Sequence, residues 1–167
     1  MLTKTASVKS AVHLLLFSVA LGGGVMHSYI VSPIAFKYLK REEFSNLQNK
    51  VFPIYFAGQT AIPILIGLSS PLISSPSKYF LAASAFTGLL NLVWVLPKCK
   101  SIKEARNKLV SEKKHEITIE GETKVTEEMA ALNKQFGMYH GFSSLFNLVS
   151  LVTLGAYGVA FLKAILV

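Results

Sequence analysis

Aspartate is missing from this 167-residue chain, and all nine acids are glutamate. Without it no Ser-His-Asp triad can form, and no Gly-x-Ser-x-Gly turn presents a nucleophilic serine. A single cysteine, Cys99, excludes an internal disulfide framework and any multi-cysteine metal site. The histidines show neither His-x-x-x-His nor His-Glu-x-x-His spacing. No glycine-rich phosphate loop occurs, because Gly22-Gly23-Gly24 lies in an apolar run with no lysine close behind it. Asn-x-Ser/Thr is also missing, so no N-glycan is expected on a lumenal loop.

Charge is scarce, at 16% of residues, and it is segregated. Four stretches, 10–36, 51–77, 79–97 and 135–162, carry none of Asp, Glu, Lys or Arg. They cover 101 residues, which leaves all 26 charges to the other 66. A soluble domain spreads charge along its helix faces. Blocks of this kind exclude an ordinary soluble enzyme and a disordered chain, and point to a small polytopic membrane protein. The net charge of +8 is then matched to membrane-surface phosphates, with no nucleic acid expected as partner.

A bilayer core about 30 Å thick takes roughly 20 helical residues. The expected fold is therefore all-α: one membrane domain over 1–167, a four-span transmembrane helix bundle. The spans are expected at about 11–36, 52–72, 79–97 and 140–163, joined by loops 37–50 and 98–134. Backbone groups in lipid must be satisfied within the segment, and Pro33, Pro53 and Pro63 are tolerated there at the cost of a kink. Lys4, Lys9, Lys78 and Lys163 fall on one side, against thirteen Lys and Arg in the two long loops. That bias places both loops in the cytosol and both termini in the lumen or exterior. The expected residence is the endoplasmic reticulum or another secretory-pathway membrane. The acid-free first ten residues leave a mitochondrial membrane open. Ser18-Val19-Ala20 resembles a signal-cleavage site, but the apolar run continues to Phe36, too long for a discarded segment.

The 98–134 loop is patterned. Ile102, Ala105, Leu109 and Val110 share one helical face, and Glu104 and Lys108 are spaced as an i,i+4 pair. The third span should therefore continue as an amphipathic helix to about Lys114. The alternating stretch 117–122 reads as a turn or short hairpin. Thr126 followed by Glu127 and Glu128 reads as a helix start, with Met129, Leu132 and Phe136 on one face. These features make a cytosolic helical hairpin that extends spans three and four.

Two segments carry a family resemblance: Lys50-Val51-Phe52-Pro53-Ile54-Tyr55-Phe56, and the run Phe136-Gly137-Met138-Tyr139-His140-Gly141-Phe142-Ser143-Ser144-Leu145-Phe146-Asn147-Leu148. Both resemble signature segments of the transmembrane protein 205-like family. The stretch 33–48 and Met129–Lys134 are similar to its fungal branch. The resemblance implies a four-helix membrane domain and no established catalytic activity.

No carboxylate, lysine or arginine lies deep in a span, which argues against an ion-coupled transporter. The uncharged polar residues form stripes instead. His140, Ser143, Ser144 and Asn147 follow helical spacing on the fourth span, with Gln59, Asn91 and His27 on the others. They should meet as a polar intramembrane layer, either as interhelical glue or as a site for a small molecule. His27 and His140 could in principle pair across a haem, but hydrogen-bonded interior imidazoles are the simpler expectation. No cofactor and no metal is expected. At the membrane surface, Lys98, Lys100, Lys103 and Arg106 form a basic cluster suited to anionic lipid, and Cys99 is placed for acylation. Trp94 and Tyr55 suit the interfacial aromatic belt.

The expected function is that of a multi-pass integral membrane protein without catalytic activity. The leading reading is a scaffold or adaptor that meets a protein partner through the hairpin, or forms a homo-oligomer. The alternative is a binder or carrier of a small amphipathic molecule or lipid at the polar layer.

Overall fold

The computed structural model describes residues 4–71, 74–119 and 122–166. Helix α1 (Lys4–Val25) passes through a π-helical turn, Met26–Val31, into α2 (Ser32–Tyr38). Helix α3 spans Arg41–Ser69. Helix α4 (Ser75–Leu90) passes through a second π turn, Asn91–Val95, into α5 (Leu96–Ser111). Two strands, β1 (Glu116–Ile119) and β2 (Glu122–Val125), precede the long helix α6 (Glu127–Leu166). Among the described residues, four rods are long and apolar enough to cross a membrane: Val8–Tyr38, Arg41–Ser69, Ser75–Ser111 and Glu127–Leu166. The shortest has 29 residues. At 1.5 Å each that is about 44 Å, more than a hydrocarbon core of about 30 Å requires.

The expected loop 37–50 is corrected to a two-residue turn. Helix α2 runs to Tyr38 and α3 starts at Arg41, leaving only Leu39 and Lys40 between them. The charges of that stretch mark where water begins, and a helix tolerates them when they suit its end. Glu42 and Glu43 occupy the first turn of α3, and the Lys40 backbone N–H donates to Glu43 Oε2 (3.0 Å). The end of the second span at Leu72 lies outside the described residues.

The fold is not purely helical either. Strands β1 and β2 pair antiparallel, with Glu116 opposite Val125 and Thr118 opposite Thr123. The β-branched alternation of Ile117, Thr118, Thr123 and Val125 suits a strand better than a helix. The tip at 120–121 lies outside the described residues. At the base of the hairpin, Thr126 Oγ1 accepts from the Met129 N–H (3.3 Å) and donates to the Lys114 carbonyl (2.9 Å). One hydroxyl thus caps α6 and ties its start to the end of α5. Lys108 pairs with Glu112 (3.9 Å) rather than with Glu104.

Helix α4 lies between α3 and α6, and α1 packs on α3. Ile66, Leu81, Leu154 and Tyr157 form the buried core, with Phe17, Leu21 and Ile62 packed against it. The outer faces carry Leu15, Ile54, Leu68, Phe86, Leu145 and Val152, all exposed. An apolar exterior around a small interior fits lipid as the surrounding medium.

A close backbone approach between α3 and α4 depends on a glycine. A Cβ on Gly88 would stand 2.9 Å from the Gln59 carbonyl carbon and 3.0 Å from the Thr60 nitrogen, both backbone atoms that a rotamer change cannot move. A Cβ on Gly22 would meet nothing within 4 Å. Gly88→Ala is therefore expected to push α4 from α3 and cost about 1–3 kcal/mol. Gly22→Ala should be neutral or slightly stabilising. Thermal unfolding of the two variants in one detergent checks the contrast.

Candidate functional site

The inward face of α6 carries Ser143, Asn147, Ser150, Leu154 and Tyr157, at alternating steps of four and three residues. That spacing holds one stripe against neighbouring helices over several turns. Together its polar members reach all three of the other rods.

Asn147 joins three rods. Its Nδ2 donates to Ser28 Oγ (2.9 Å), in the first π turn. Its Oδ1 accepts from Tyr55 Oη (2.8 Å) and from Gln59 Nε2 (2.8 Å), both on α3. Ser28 Oγ and Tyr55 Oη are 3.0 Å apart. The Tyr55 proton is committed to Asn147, so Ser28 donates to Tyr55. The three groups close a ring in which every donor has an acceptor, an arrangement that strengthens each member.

The other rungs are simpler. Asn91, fully buried at the start of the second π turn, donates from Nδ2 to the Ser143 carbonyl (3.1 Å). Ser84 and Ser150 share a hydroxyl hydrogen bond across α4 and α6 (2.9 Å). At the far end, buried His13 donates from Nδ1 to the Ile66 carbonyl (3.2 Å). Tyr157 Oη stands 3.2 Å from both His13 Nε2 and Ser70 Oγ.

Both π turns sit directly ahead of a proline. The Ser32 N–H bonds back to the His27 carbonyl and the Leu96 N–H to that of Asn91, and Pro33 and Pro97 follow. A proline cannot donate to the carbonyl four residues back, and its ring crowds that carbonyl. The widened turn relieves both problems and rotates the side chains within it. His27 and Asn91 each occupy such a turn.

Among the residues read from the sequence, Gln59, Asn91 and Asn147 point into the bundle, as does the Ser143 carbonyl. His27 is half-buried against Tyr55 and Phe52, and its Nε2 lies 3.5 Å from Ser32 Oγ. His140 and Ser144 stand on the exposed side of α6. The His140 ring stacks on Phe136, and the Ser144 hydroxyl bonds back to the His140 carbonyl (3.0 Å). On α5, Lys98 and Lys100 are exposed, while Cys99, Lys103 and Arg106 are half-buried. Ser28, His13, Tyr157 and the Ser84–Ser150 pair were not singled out from sequence. Ser28 is a lone hydroxyl in an apolar run, and its spacing from His27 signals nothing. Among the described residues, no group of three His, Cys, Asp or Glu could hold a metal ion.

Beside the Asn147 ring lies a cavity of about 310 Å³ between α1 and α3, backed by α4 and α6. Val19 and Ile54 stand exposed at its rim, and Gly23 and Gly58 leave space by having no side chain. Ala20, Ile62, Leu151 and Leu154 are apolar walls, while Tyr55, Gln59, Ser84 and Ser150 are the polar part of the lining. No lining residue is charged. Three carboxamide oxygens of the interior, Gln48 Oε1, Gln59 Oε1 and Asn91 Oδ1, have no hydrogen-bond partner within the protein. Of the three, Gln59 belongs to the cavity lining.

Residues 15–108 match a domain of unknown function, DUF4149. The match covers more than half of the chain, so the chain belongs to the DUF4149 family. A protein of Aquifex aeolicus described only as uncharacterized is 34% identical over 105 residues, covering 61% of this chain and 77% of that one. Xanthocillin biosynthesis cluster protein D of Aspergillus fumigatus is 34% identical over 86 residues, covering 47% of this chain and 55% of its own length. No solved structure matches.

Asn147→Leu leaves Ser28, Tyr55 and Gln59 without their common partner. At about 0.6–2 kcal/mol per interhelical hydrogen bond, it should cost about 2–4 kcal/mol of bundle stability. A double-mutant cycle with Tyr55→Phe should be non-additive by more than about 0.5 kcal/mol, whereas Asn147→Leu with the exposed Ser144→Ala should be additive.

Proposed function

We propose, proceeding from membership in the DUF4149 family, that this chain is a non-catalytic membrane protein that binds or carries a small, neutral, amphipathic molecule taken from the bilayer. The observation that carries this reading is the cavity between α1 and α3. Its rim opens sideways on the apolar outer surface, its walls are apolar, and its deeper part offers hydroxyl and carboxamide groups. A pocket with few polar groups in an apolar wall fixes the orientation of a mostly apolar ligand. The uncharged lining favours a neutral ligand, and the unpartnered Gln59 Oε1 in the lining favours one that donates a hydrogen bond through a hydroxyl or N–H. A related protein is named xanthocillin biosynthesis cluster protein D, and a link to biosynthesis accords with a small-molecule role here.

The scaffold reading has less support. Ile102, Leu109 and Met129, the apolar residues that would greet a partner, are buried within the protein, and α5 packs along α6. Val110, Ile117 and Val125 remain exposed. The proposal includes the transmembrane protein 205-like assignment, carried by Phe136–Leu148 beyond the family match. It also includes a secretory-pathway membrane, with the α5–α6 hairpin cytosolic and both termini lumenal.

The probe is a long-chain alcohol bearing a photoreactive diazirine, with its methyl ether as the donor-free control. Wild-type protein in neutral lipid should be labelled on α1 or α3 near Gly23 and Gly58, and the alcohol should outcompete the ether. Gly58→Leu has room for its Cβ, which would meet only Ile62 Cδ1 at 3.7 Å, so it should fill the cavity without unfolding the bundle. Labelling is expected to fall by an order of magnitude. Equal labelling of Gly58→Leu and wild type would overturn the reading. Loss of a co-purifying protein on deletion of 116–125, together with no preference of wild type for the alcohol over the ether, would favour the scaffold instead.

A further inference from the structure

A cluster of cations lies at the hairpin end of the bundle, away from the cavity. Helix α5 carries Lys98, Lys100, Lys103, Arg106 and Lys108 against one acid, Glu104. Among the described residues the ion pairs are Glu112 with Lys108 and Lys114, and Glu122 with Lys124. Lys98, Lys100, Lys103 and Arg106 therefore have no carboxylate partner. Two of them are held in place rather than waving in water. Lys103 Nζ donates to the Ser45 carbonyl of α3 (3.5 Å). The Arg106 guanidinium lies 5.4 Å from the centre of the Phe136 ring of α6. Its Nε is buried and has no hydrogen-bond partner within the protein. With Nε covered, the rest of the guanidinium, which has no carboxylate partner, is the part left for an anion.

The height of the site narrows the choice of anion. Phe136 is the second residue of the uncharged run of α6, and Ser45 precedes the uncharged run of α3 by six residues. Both stand at the edge of the hydrocarbon, where the lipid headgroup layer begins. A soluble anion has no reason to prefer that level, whereas a lipid phosphate is anchored there by its own chains. Lys103 and Arg106 are three residues apart, so they share one side of α5 and can meet a single headgroup together.

We infer that Lys103 and Arg106 form a binding site for the headgroup of an anionic phospholipid, on the face of α5 next to Ser45 of α3 and Phe136 of α6. Lys98 and Lys100, exposed one to two turns nearer the membrane centre, add attraction without shape. Arg106 supplies the planar fork that suits a phosphate, and the Phe136 ring beside it limits its freedom.

The test uses the full chain reconstituted in vesicles of phosphatidylcholine doped with phosphatidylserine. Lipid retained on release from the bilayer is then measured by native mass spectrometry. Wild type should keep phosphatidylserine in preference to phosphatidylcholine. The Lys103→Gln/Arg106→Gln variant should lose that preference by roughly thirty-fold. Lys98→Gln/Lys100→Gln should lose less, and Arg106→Lys should fall between. Wild type alone gives a reading that no folding defect can mimic: phosphatidylserine retention should drop as salt rises, with phosphatidylcholine unaffected. Equal retention of the two lipids by wild type would overturn the site, as would undiminished preference in the double glutamine variant. Saturable binding of inorganic phosphate in a purely phosphatidylcholine bilayer, with no lipid preference, would assign the two cations to a soluble anion and equally overturn the site.

Discussion

The side-chain amide of Asn147 is the interaction on which the bundle most depends. In hydrocarbon the apolar faces of helices gain little by choosing one another over lipid, so packing partners are selected by close fit and by polar groups that must be satisfied. Asn147 satisfies groups from two other rods at once, through Ser28, Tyr55 and Gln59. That sets the rotation of α6 and the register of the first rod against α3. Asn91 does the same for the third rod by gripping the Ser143 carbonyl. Gly88 then lets α4 and α3 come within backbone contact. The cavity follows from these constraints: α1 is held at Ser28 and at His13, and between those ties Gly23 and Gly58 leave the gap unfilled.

Charge segregation made the four rods legible, because lipid rejects charge over a thickness that only a helix of that length can cross. The start of α6 was legible for a local reason: a threonine ahead of two glutamates is chemistry complete within four residues. The turn at Leu39–Lys40 was not, because charge reports on solvent and a helix does not end where water begins. The π turns were hidden too. Pro33 and Pro97 announce a disturbed helix, but whether it kinks or widens depends on neighbours.

The polar seam was half legible, and the division has a geometric cause. Helical spacing says that His140, Ser143, Ser144 and Asn147 lie close on one helix. It does not say which part of that arc meets the other helices. The contact follows 143, 147, 150, 154 and 157, so Asn147 turned inward while His140 and Ser144 stayed outside. Tyr55 was read as an interfacial aromatic from its position near the end of a span. Its hydroxyl instead lies inside the bundle, a matter of rotation about α3 that only Asn147 and Ser28, 92 and 27 residues away, determine.

Each of these interactions has its stated strength only if lipid surrounds the rods, and single-cysteine labelling tests that most directly. In a Cys99→Ser background, Lys40→Cys, Ser74→Cys, Leu65→Cys and Leu145→Cys are treated in sealed vesicles with a membrane-impermeant maleimide. Lys40→Cys and Ser74→Cys should react from opposite sides of the bilayer, and Leu65→Cys and Leu145→Cys, exposed on the surface of the bundle but within the rods, should not react from either side. Rapid labelling of Leu65→Cys and Leu145→Cys at the rate of Lys40→Cys would mean that water bathes the rods, and would contradict the membrane-spanning architecture.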